Sequence, residues 1–177
     1  MRVLRIAGFH PPRGHGPNEK AHLWTVVWFG KHKGKTLPQI VLTDPDWFFW
    51  AIEEHVFNRS AHLTSEAKEI SRKARRIKVA AKTRVEYAIH PHARKLADVS
   101  VVPASTPRHE GSSPTYVEDV LDLSMARQIA SYDKLGGQII VRALKFHVFG
   151  NENVRLTRQR CERFFNDDSN FAVQGQS

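Results

Sequence analysis

Between residues 67 and 90 the apolar residues change their period. Ala67, Ile70, Ala74 and Ile77 recur at spacings of three and four, whereas Val85, Tyr87 and Ile89 alternate with Glu86, Ala88 and His90. The first pattern is the buried stripe of an amphipathic helix and the second a half-buried strand. A chain holding both must pack helices against a sheet. The expected architecture is α+β: an N-terminal hairpin-and-helix module over 1–58, then a basic helix and a small antiparallel or mixed sheet with C-terminal helices over 59–177.

Local signals place the remaining elements. Val3 to Ala7 reads as a short strand and Gly8 to Lys20 as an arm without periodicity. His22 to Phe29 reads as a strand apolar on both faces, with Trp24, Val26 and Trp28 on one side and Val27 and Phe29 on the other. Thr36 and Asp44 are N-cap residues, each followed by a proline in the first helical turn. The basic helix is expected from Thr64 or Ser65 to Lys82, with Glu66 in its first turn. Asp98 to Val102 and Thr115 to Leu123 read as strands, and Ser124 to Tyr132 as a helix. Gly136-Gly137 reads as a break before a helix from Gln138 to Phe149. Thr157 caps a last helix to Phe165, and the chain after Phe171 reads as disordered.

The formal charge is +9, and it is not evenly spread. From Arg59 to Lys95 eleven Lys and Arg residues face three Glu, a local excess of +8. Such a surface attracts polyanions and releases their counterions. With one cysteine, Cys161, the chain has no intramolecular disulfide and no thiolate zinc site. No apolar run reaches the roughly 18 residues of a membrane span. A soluble, cytoplasmic protein is expected, with no membrane partner.

Phe29-Gly30-Lys31-His32-Lys33-Gly34-Lys35, followed by Asp44-Pro45-Asp46-Trp47 and Trp50, resembles the small C-terminal module of exodeoxyribonuclease X and its relatives. That family pattern runs FGKYKGK, a short helix, then a DP and an aromatic segment ending in Trp. The likeness covers about residues 24–57, and His32 stands where the family usually carries an aromatic. It implies contact with nucleic acid, or an accessory role beside proteins that process it. The family's acidic nuclease ligands have no counterpart, since the first carboxylates are Glu19 and Asp44. Modules of this kind also occur in small proteins of bacteria and their phages.

The candidate phosphate contacts are Lys31, Lys33 and Lys35 in the Gly-Lys turn and Arg72, Lys73, Arg75, Arg76, Lys78 and Lys82 on the basic helix. The turn's glycines and backbone amides permit close phosphate approach. Cations without interleaved Asn or Gln point to weak sequence preference, with DNA favoured over RNA. Most of Trp24, Trp28, Trp47 and Trp50 are expected in the core, with Trp47 or Phe48 the exception. No cofactor or metal is expected: His90 and His92 lack a third ligand, and His10, His15 and His22 lie in or beside the arm. No catalytic site is expected either, because Asp119 and Asp122 fall on opposite strand faces and Cys161 lacks a His partner; a metal-dependent nuclease resting on Asp119 or Asp133 is the third reading. The alternative reading is a phage-type interaction factor docking on an acidic surface of a host nucleoprotein machine.

Overall fold

The computed structural model describes residues 22–92, 95–108, 114–128 and 134–173, so the strand expected at Val3 to Ala7 and the arm after it lie outside the described residues. The chain is α+β. Two short helices, α1 (Leu37–Thr43) and α2 (Pro45–Glu53), lead through a 3-10 turn (Val56–Arg59) into α3 (Ala61–Ala74). Five strands follow: β1 (Ile77–Lys78), β2 (Thr83–His90), β3 (Lys95–Pro103), β4 (Thr115–Glu118) and β5 (Val120–Leu121). Helices α4 (Met125–Gln128), α5 (Lys134–Phe149) and α6 (Arg158–Asn166) and a 3-10 turn (Asp168–Asn170) close the order.

The strands form two antiparallel sheets, one ordered β3-β2-β4 and one pairing β1 with β5. β2 is central, with Tyr87 opposite Val99 on one side and Tyr116 on the other. Its alternation is visible in burial: Val85, Tyr87 and Ile89 are buried while His90 is exposed. Tyr87 also joins the two sheets, since its hydroxyl accepts from Asp122 N at 2.7 Å and donates to the Val120 carbonyl at 3.3 Å. Burial pushes this phenol well above its ordinary pKa, so it keeps its proton.

One apolar cluster serves helices and sheets together. It includes Trp24, Leu37, Ile40, Phe48, Ile70, Tyr87, Leu121, Ile140, Leu144 and Phe165. α1 packs on α3 and α6, α2 on α4 and α5, and α5 along β3. Residues on both sides of position 58 therefore share this core.

Several expectations are corrected. Residues 22–29 join no sheet: the segment makes a single antiparallel bridge, Val26 to Thr36. Without a neighbouring strand its burial follows contacts with helices, so Trp24 and Val27 are buried while Val26 and Trp28 face out. α3 starts at Ala61, after Ser60, whose hydroxyl caps Leu63 N. It ends at Ala74 rather than Lys82, because Ile77 leaves the helical path to pair with Leu121. Glu66 consequently sits in the second turn, where it is buried.

The strand expected over Thr115 to Leu123 is split at Asp119, its first part pairing β2 and its second β1. The helix expected from Ser124 to Tyr132 is described only as α4, Met125–Gln128, since residues 129–133 lie outside the described residues. After Phe171 the chain is still bonded, with Ala172 N donating to the Arg76 carbonyl at 2.8 Å; residues 174–177 lie outside the described residues.

Gly136 and Gly137 lie inside α5 and do not break it. A Cβ on Gly137 would meet Asp46 Cβ at 3.9 Å, an ordinary contact. Gly137→Ala is therefore expected to raise stability by about 0.5 to 1 kcal/mol, because alanine loses less backbone freedom in a helix. A thermal melt of the variant checks this; a lower midpoint would show that the helix needs the glycine.

Candidate nucleic-acid interface

The Gly-Lys turn is closed from within. Val27 N donates to the Lys35 carbonyl at 2.9 Å and Gly34 N to the Val27 carbonyl at 2.7 Å, while Gly30 and Gly34 take the positive φ values that the reversal requires. Lys33 N and Lys35 N are bonded to the Gly30 and His32 carbonyls. The amides of Lys33, Gly34 and Lys35 are thus spent inside the turn, and the expected amide cradle for phosphate is not formed by them.

The turn is anchored to the start of α2 by Asp44. This residue caps the helix at Trp47 N and also receives Lys31 Nζ at 2.7 Å and His32 Nε2 at 3.0 Å. Partial burial pushes the Asp44 carboxyl up, but the hydrogen bonds and charges of His32 and Lys31 outweigh it and hold the group at about 2. His32 is buried edge-on against Trp47 at 4.5 Å, so its imidazole is a core group and not a stacking surface. Lys31 is engaged in this anchor. Lys35 is partly covered, with Nζ 3.5 Å from His32 Nδ1, and Lys33 is exposed.

The six cations assigned to the basic helix separate into different environments. Arg72 is on α3 and exposed. Lys73 is buried: its ammonium contacts Glu69 at 2.9 Å, Asp168 at 2.8 Å and the Phe165 carbonyl at 2.9 Å. It is therefore a core group and not a phosphate contact, because the end of α6 and the turn after it cover this face of α3. Arg75 donates to Ser124 Oγ at 2.7 Å and lies over the Phe49 ring at 4.9 Å. Arg76 is partly buried past the helix end; Lys78 stands exposed on β1 and Lys82 exposed in the turn before β2.

An open groove of about 410 Å³ runs between α3 on one side and α2 with its following 3-10 turn on the other. Ala51, Ile52, Phe57 and Ala67 make it apolar, and Lys68, Arg72, Arg75 and His55 rim it. Sequence reasoning missed this feature. The small residues Ala67 and Ser71, one turn apart on α3, are the signal that leaves the space open.

The aromatic expectation is also corrected. Phe48 is fully buried and Trp47 partly so, while Trp28 is 51% exposed and Trp50 36%. Phe48 faces the core because α2 packs between α1 and α5, which leaves Trp50 on its outer edge.

The carboxylates of the C-terminal half are dispersed. Asp119 is exposed at the strand break, Asp122 accepts from Ser124 N at 2.7 Å, and Asp168 holds Lys73. Asp133 lies outside the described residues. His90 and His92 have ring centres 6.2 Å apart, and among the described residues no three His, Cys, Asp or Glu side chains gather into a metal set. Cys161 is buried, which pushes its thiol up to about 12 and keeps it protonated. Among the described residues no helix is long and apolar enough to cross a membrane. Comparison with known proteins finds no matching family model, no similar curated protein and no similar solved structure.

Proposed function

We propose that this chain is a nucleic-acid-binding accessory protein of weak sequence preference, DNA being favoured. The observation that carries the reading is that Lys33, Arg72, Lys78 and Lys82 are exposed and join no ion pair among the described residues. Arg76 and Lys35, partly covered, add to the positive charge. Three of those four exposed cations are lysines, which act on phosphate as point charges and carry no base-reading geometry. The likeness of residues 24–57 to the exodeoxyribonuclease X module supports the same reading.

Fluorescence anisotropy with labelled DNA and RNA, single- and double-stranded, tests it at two salt concentrations without added metal. With roughly four phosphate contacts, the slope of log K against log salt on duplex DNA is expected near −3 to −4. The triple variant Lys33→Glu, Lys78→Glu, Lys82→Glu should bind about tenfold or more weakly at low salt and melt at the same temperature, since all three side chains are exposed. Absence of binding by the unaltered protein at low salt would overturn the proposal.

A further inference from the structure

The groove between α2 and α3 is asymmetric in charge. Lys68, Arg72 and Arg75 stand along its α3 wall, spaced four and three residues apart, so they cover about 10 Å of helix at 1.5 Å per residue. Neither carboxylate of α3 compensates them, and Asp168 and Asp122, whose charges act on Arg72 and Arg75, do not line the groove. Glu66 accepts from Thr25 N at 3.0 Å and from Thr25 Oγ1 at 2.9 Å, and Glu69 is held by Lys73. Arg75 is already fixed, by Ser124 and by the Phe49 ring, so ordering it against a partner costs little entropy.

From this we infer that the groove docks an acidic amphipathic helix of a partner protein. Its apolar edge lies on Ile52 and the small residues of the floor, and its carboxylates, three and four residues apart, meet Lys68, Arg72 and Arg75. Charge complementarity selects a polyanion, and the floor selects which kind. A nucleobase would need an exposed ring to stack on. Phe57 is buried against Trp47 and Phe48, and Phe49 is buried beneath Arg75, so the exposed ring among the lining residues is His55, which stands at the rim and not on the floor. The floor itself offers aliphatic surface, suited to leucine-like side chains. Lys33, Lys78 and Lys82 do not line the groove, whereas Arg72 belongs both to its wall and to the proposed phosphate contacts.

The test uses a labelled synthetic helical peptide with one leucine edge and one glutamate edge, titrated with the full chain. Binding is expected, and it should fall about tenfold when the glutamates are replaced by glutamine or when Lys68→Glu is introduced. Ser71→Trp, which fills the groove from a half-buried position, should abolish peptide binding and leave nucleic-acid affinity unchanged. If that variant fails to fold, Lys68→Glu at its exposed position decides. No peptide binding, or peptide binding indifferent to Ser71→Trp and Lys68→Glu, overturns the inference. So does loss of nucleic-acid binding in Ser71→Trp, which would make the groove part of the nucleic-acid site.

Discussion

Lys73→Glu is expected to cost about 3 to 5 kcal/mol and to leave much of the protein unfolded at room temperature, because a domain of this size holds only about 5 to 15 kcal/mol in total. The Lys73 side chain is 7% exposed and its ammonium satisfies three oxygens, those of Glu69, Asp168 and the Phe165 carbonyl, 5.5 Å from the Phe171 ring. Reversal places a carboxylate beside two others and leaves the carbonyl without its donor. Lys73→Met keeps the aliphatic stem and removes the charge and its donors without adding a repelling carboxylate, so its cost is about 1 to 3 kcal/mol. Circular dichroism melts at neutral pH compare the two variants. A Lys73→Glu protein that melts with the unaltered one would show that this cation is not buried. Nucleic-acid affinity per folded molecule should be unchanged in Lys73→Met, which separates Lys73 from the exposed phosphate contacts.

Asp44→Asn should lower stability by about 2 to 3 kcal/mol at neutral pH through the loss of two charge-assisted hydrogen bonds, the cap on Trp47 N being kept because Asn caps as well as Asp. The effect has a defined pH window. The Asp44 carboxyl stands at about 2 in the folded chain against an ordinary 3.8, so the folded state binds this proton less readily than the unfolded one. The charged form therefore stabilises the fold fully above about pH 5, and its contribution is lost as pH falls toward 2. About a quarter of the side chain is open to solvent, 24% by exposure, so the pH-dependent part is discounted to about 1 to 2 kcal/mol. Asp168, held low by its hydrogen bond and charge contact with Lys73, loses stability in the same direction. Denaturant unfolding of the unaltered protein and Asp44→Asn should give a gap that narrows between pH 7 and pH 3. A constant gap would refute the linkage.

How far such features can be read in advance depends on what enforces them. The strand at residues 83–90 was legible because burial of one face imposes a period of two on Val85, Tyr87 and Ile89. Asp44-Pro45 was legible as a helix start because cap chemistry is local. Its second role, as the acceptor for Lys31 and His32, was not, because it depends on the turn folding back across α2. The run from Arg72 to Lys78 carries the same charge throughout, and charge says nothing about burial: Lys73 is covered by α6, while Arg72 beside it faces solvent. The end of α3 was missed for a related reason, since Ile77 suits a helix stripe and a strand equally and only its distant partner Leu121 decides. Gly136-Gly137 looked like a break because glycine lowers helix propensity locally, whereas α5 is held by its packing on β3, α4 and α2. The groove depends on two helices lying side by side, so no single segment contains it.

Trp24 donates from its indole nitrogen to Asn166 Oδ1 at 2.8 Å, across 142 positions of sequence. A ribosome adding about 5 to 20 residues each second takes roughly 7 to 30 s to span that interval. Throughout that wait the helices around Trp24 lack the one that covers them, and their apolar faces stay open to other chains. Synthesis rate over residues 24 to 166 should therefore influence how much of the protein reaches its native state, and slow translation there should raise aggregation without any change in the finished fold.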